Sequence, residues 1–77
     1  MFKELVEYMA TAVVDQPEQV RVDAAESGGT TTLRLQVAPA DLGRVIGKQG
    51  RTARAIRTLL HAAASRTKQR VVLEIAE

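Results

Sequence analysis

The spacing of apolar residues along this chain switches repeatedly between the helical and the strand period, and the order of those switches restricts the fold more than any other feature. Phe2, Leu5, Val6, Met9 and Val13 recur at three- and four-residue steps, the stripe of an amphipathic helix that runs to about Val14 and ends at Asp15-Gln16-Pro17. Val20, Val22 and Ala24 then alternate with Arg21, Asp23 and Ala25, as expected of a strand with one face on a core. Ser27-Gly28-Gly29 makes a turn. Leu33, Leu35 and Val37 alternate with Thr32, Arg34 and Gln36, which predicts a second strand paired back on the first as a hairpin and stopped by Pro39. From Ala40 to Ile46 there is space for about two helical turns, favoured at their start by Pro39 and Asp41 and broken by Gly47. Ala53, Ile56, Leu60 and Ala63, with Leu59 beside them, predict a longer helix that begins near Gly50 or Arg51 and frays around Ser65. Val71, Leu73 and Ile75 alternate with Val72 and Glu74 in a third strand. The order is α-β-β-α-α-β, an α+β chain in which three helices pack on one face of a three-stranded sheet.

With 77 residues, the chain is expected to form a single domain over residues 1–77, close to the lower limit for folding on apolar burial alone. Burial must suffice, because there is no cysteine to supply a disulfide or a thiolate metal site. No apolar run approaches the length of a membrane span, and Met1-Phe2-Lys3-Glu4-Leu5 lacks the charged-then-apolar order of a secretory signal. The expectation is a cytoplasmic protein with no membrane partner. Phe2 and Tyr8 are the only aromatic residues, so a platform on which successive bases stack is not expected, and Phe2 and Met9 are read as core.

The formal net charge of +2 conceals an asymmetry. Between Leu42 and Leu73 there is no Asp or Glu, while Arg44, Lys48, Arg51, Arg54, Arg57, Arg66, Lys68 and Arg70 all fall inside that stretch. Glu4, Glu7, Asp15, Glu18, Asp23 and Glu26 occupy the first third, Asp41 marks the junction, and Glu74 and Glu77 close the chain. Such a division within one domain points to a side that faces a polyanion.

Within the basic stretch, Gly47-Lys48-Gln49-Gly50 joins the two helical segments. Glycine at both ends permits positive φ and removes the β-carbons that would hold a sugar-phosphate chain away. The amides that open the next helix can then face phosphate. Lys48 and Arg51 add mobile positive charge, Arg54 extends it by one helical turn, and Arg44 flanks the loop on its other side. Arg57 is left off this track, since its direction on the helix is open. Val45 and Ile46, just before the loop, are the expected apolar wall for unstacked bases.

Val45-Ile46-Gly47-Lys48-Gln49-Gly50 resembles the V/I-I-G-x-x-G signature of KH domains, whose GXXG loop clamps the backbone of about four nucleotides. The element order corresponds to the type II KH arrangement, and the resemblance extends over nearly the whole chain. Small size and the run from Ala38 to Gly47 make the chain similar to the stand-alone bacterial KH proteins of the KhpA type. The resemblance implies non-catalytic binding of single-stranded RNA in the cytoplasm, as an RNA chaperone or post-transcriptional regulator. It implies a larger KhpB-type RNA-binding protein as partner, and it makes the strand Val71 to Ile75 the far wall of the groove; because so small a site binds weakly, a homodimer is the other expected way of linking sites. KH loops with acidic residues between the glycines generally lose nucleic-acid binding, and Lys48 and Gln49 are not acidic.

Other readings are weaker. A phosphate-binding P-loop would need Gly in place of Leu42 and Ser or Thr in place of Gln49. His61 is the only histidine and, with no cysteine or adjacent carboxylate in sequence, is read as a surface residue with no metal or catalytic role. Gly43 is read as allowing close helix packing. No cofactor and no catalytic constellation is expected, because the basic half offers no general-base carboxylate and no nucleophile paired with a base. The alternative function is a protein-interaction module in which the same loop and helix dock on another KH surface and RNA is incidental.

Overall fold

A computed structural model describes residues 2–76 of the chain; Met1 and Glu77, the latter one of the acids that close the sequence, lie outside the described residues. Helix α1 spans Phe2–Val13, strands β1 and β2 span Arg21–Ser27 and Thr30–Gln36, helices α2 and α3 span Leu42–Ile46 and Arg51–Arg66, and strand β3 spans Arg70–Ile75. This is the expected order. Three single turns of 3-10 helix, at Pro17–Gln19, Pro39–Asp41 and Lys48–Gly50, were not foreseen. The segment read as two turns of helix before Gly47 is thus a 3-10 turn followed by five α-helical residues.

Gly28 and Gly29, at φ 57° and 80°, form the two-residue turn between β1 and β2, the positive-φ geometry that matches the twist of a tight hairpin. Ser27 pairs with Thr30 and Arg21 with Gln36 in the antiparallel ladder. β3 joins the other side of β2 in parallel, from Thr30 opposite Arg70 to Leu35 opposite Ile75, so the sheet order is β1-β2-β3 and β3 is a free edge. Parallel neighbours need a long crossover, and here that crossover is α2, the glycine loop and α3.

The three helices cover one face of the sheet. Phe2, Val6 and Ala10 of α1, Val45 of α2, and Ile56, Leu60 and Ala64 of α3 meet Val22, Leu33, Leu35, Val71 and Leu73. Some expectations need correction. Of the alternating residues of β1 only Val22 is buried, because the strand runs past the helices and leaves Ala24 exposed. On α3, Ala64 is buried in the core and Ala63 is partly buried against it, while Leu59 remains 55% exposed.

Asp41 is the one buried charged residue among those described, at 1% exposure. Its carboxylate accepts the backbone amide hydrogens of Asp15, at 3.1 Å, and Gln16, at 3.0 Å. It does not cap α2. It holds the end of α1 against the start of the segment that leads to the loop, where the sequence suggested only a favourable helix start. Gly43 is also reassigned: a β-carbon there would meet nothing within 4 Å, so close packing does not require glycine at this position.

A basic trough on one flank of the long helix

The loop is a tight, self-bonded turn. The Gly50 amide donates to the Gly47 carbonyl at 3.1 Å, and the Arg51 amide donates to the carbonyl of Lys48. Gly47 and Gly50 have φ of 77° and 74°, as the motif led one to expect, and Gln49 also lies in the left-handed region at φ 58°. Gly47 combines its φ with ψ 169°, a region essentially restricted to glycine. The effect is to place Lys48 and Gln49 at an exposed tip. No side chain caps α3, and the amides of an uncapped first turn are donors for an anion.

Beyond the tip lies a cleft of about 570 Å³ lined by Ile46, Gly50, Ala53, Arg54, Arg57 and Ile75. Gly50, Ala53, Arg54 and Arg57 follow the three- and four-residue steps that keep side chains on one flank of a helix. Ile46, half-buried, and Ile75 give the cleft an apolar floor, and Ile75 brings in β3 as the opposite side. Among the described residues, no acidic group stands within ion-pair distance of Lys48, Arg51, Arg54 or Arg57. Their charge is available to an anionic chain.

The other site residues named from sequence fall differently. Val45 has no exposed surface and belongs to the core, so it seats the loop from beneath and offers no wall to a base. Adjacent helical residues point about 100° apart, which is why Ile46 can line the cleft while Val45 cannot. Arg44 is half-exposed but engaged: its Nη2 lies 3.0 Å from Asp15 Oδ2 and its Nε 3.8 Å from Asp41 Oδ1. Asp41 is a local partner, three residues before Arg44, whereas Asp15 comes from the segment that follows α1 and is not a neighbour in sequence. Arg51 is exposed at the start of α3 beside the tip, outside the residues that line the cleft. Arg57, left off the track, lines the cleft with Arg54; its step of seven from Gly50 was the available signal.

Comparison with known proteins places this geometry in context. A family model described as KhpA/KhpB, KH domain, matches residues 3–75. The chain is 49% identical over 75 residues to the RNA-binding protein KhpA of Halalkalibacterium halodurans, covering 97% of this chain and 99% of that protein. It is 51% identical to the RNA-binding protein KhpA of Clostridium perfringens, covering 95% of this chain and 97% of the relative. Among solved structures, Aquifex aeolicus Era superposes with a TM-score of 0.63 at 16% identity over 96% of this chain. This chain spans only 29% of that one, and the likeness is one of fold.

Proposed function

Because the chain belongs to the KhpA/KhpB family of KH domains, we propose that it is a non-catalytic protein that binds single-stranded RNA, with the tip Lys48-Gln49 on the backbone and the adjoining cleft on the bases. The observation that carries this reading is the arrangement of the loop: two glycines at positive φ raise an acid-free tip that leads into a cleft edged by the unpaired Arg54 and Arg57. Relatives named as RNA-binding proteins over the same length support it.

A backbone clamp of about four nucleotides discriminates little among sequences and binds weakly on its own. Useful affinity then comes from linked sites, through a homodimer or a complex with a larger KhpB-type RNA-binding protein. Chaperoning or post-transcriptional regulation in the cytoplasm is the role that fits such a module.

The alternative, in which the same loop and helix dock on another KH surface, has no such feature in its favour, because the apolar surface lies elsewhere. An apolar cleft of about 760 Å³, lined by Phe2, Leu5, Ala62, Ala63, Arg66 and Thr67, separates α1 from the far flank of α3. It lies opposite the loop-side cleft, so a partner seated there would leave the basic trough open.

Fluorescence anisotropy of a short labelled single-stranded RNA tests the first reading. Binding to the native chain should weaken steeply with salt as phosphate contacts are screened. A Lys48→Asp/Gln49→Asp variant that keeps its circular dichroism spectrum should lose binding. Equal binding by both proteins, or by neither, would move the search to a protein partner.

A further inference from the structure

The cleft beside the loop is not the end of the groove. A second cleft of about 470 Å³ opens near the other end of α3, lined by Thr30, His61, Ser65, Gln69 and Arg70 together with Ala64, Val71 and Val72. Arg54, Arg57, His61 and Ser65 succeed one another at steps of three, four and four, the spacing of a single helical flank. The first cleft has Ile75 of β3 for its opposite side and the second has Val71. Both therefore lie along one seam between α3 and the free edge of the sheet, and Arg57 and His61 are separated by about 6 Å of helix axis.

The chemistry of the second cleft suits a nucleotide chain. Phe2 is buried and Tyr8 is on α1, which leaves His61, exposed on this flank, as the only ring that an unstacked base can meet there. Thr30, Ser65 and Gln69 supply hydroxyl and amide groups able to donate and accept, and Arg70 supplies a charge for phosphate. The chain turns sharply to bring the last two into place: Lys68 takes φ 57°, and the Gln69 amide returns to the Ala64 carbonyl at 3.0 Å. Glu74, the only acid on β3, shares a strand face with Arg70 and Val72 but lines neither cleft.

Resting on the reading of the loop as an RNA clamp, we infer that the bound strand continues past the clamp along α3 and β3 into this second cleft, where His61 stacks on a base and Arg70 meets the backbone. The protein would thus hold more nucleotides than the loop-side cleft alone.

The test uses the isotope-labelled full chain and two RNAs, a cytidine-adenosine repeat of four nucleotides and one of eight, followed by amide chemical shifts and by anisotropy. The tetramer should shift residues 47–57, and the octamer should also shift His61, Ser65, Gln69 and Arg70. A His61→Ala/Arg70→Ala variant should bind the tetramer as the native chain does but bind the octamer about tenfold less tightly, the scale of one lost base stack. The several registers that a short site finds on an octamer help both proteins equally. An octamer that shifts the loop but leaves the second cleft silent, or binds both proteins alike, overturns the extension while the clamp stands. If neither RNA shifts residues 47–50, the clamp falls and the extension falls with it.

Discussion

Gly47 and Thr52 are packed so closely that a β-carbon on Gly47 would collide with the Thr52 hydroxyl and come within 2.7 Å of the Thr52 β-carbon and amide nitrogen. Gly50, at a similar φ, has open space where a β-carbon would go. The two glycines of one motif are thus required for different reasons: Gly47 by backbone conformation and by contact, Gly50 by conformation alone.

The difference is measurable. Gly50→Ala should destabilise by about 1–2 kcal/mol, the cost of a left-handed alanine. Gly47→Ala adds a steric clash to backbone strain of about 1–3 kcal/mol and should be the less stable variant. Urea unfolding midpoints at unchanged slope would rank them, and coincident midpoints would refute the role given to Thr52.

Val45 and Ile46 should separate stability from binding. Val45→Ala removes a fully buried side chain and should cost about 1.5–3 kcal/mol. Ile46→Ala, at the half-buried cleft floor, should cost less stability but weaken RNA binding more. Denaturation and anisotropy on the same two variants decide, and the reverse order would put Val45 back on the binding surface.

Much of this was readable from the sequence, and the failures have physical causes. The hairpin, the long helix and the glycine loop are local: apolar period and turn residues specify them within a few residues. Asp41 is not local, because the amides that it receives lie 26 and 25 residues away. The pairing of Arg44 with Asp15 is hidden in the same way. The parallel pairing of β3 depends on where the crossover delivers the strand. Arg57 is local too: steps of three and four from Gly50 around the helix lead to it through Ala53 and Arg54.

Asp41 gives a further expectation. Asp41→Ala leaves the amides of Asp15 and Gln16 without their acceptor and should cost about 1–3 kcal/mol. Hydrogen exchange at those two amides should speed up more than at other amides of the same region. Unchanged exchange there would mean that the carboxylate is not what holds α1 to the approach to α2.

The arginines can be sorted by flank. Arg57→Ala should lower RNA affinity and reduce the slope of log affinity against log salt by about 0.7, the release expected for one phosphate contact on a single strand. Arg66→Ala, on the α1 side, should leave that slope unchanged. Equal effects would mean that charge alone, without placement, attracts the RNA.

The parallel pairing of β3 also sets an order of assembly. The β1–β2 hairpin closes locally across Gly28-Gly29, whereas β3 docks only once α2, the loop and α3 have carried the chain back to β2. Pairings so distant in sequence require the larger loop closure and delay folding. Both clefts of the trough have β3 for a wall, so neither is complete until that last strand arrives. An oligonucleotide held there favours the assembled sheet by mass action, and the melting temperature of the chain then rises with the concentration of what it carries.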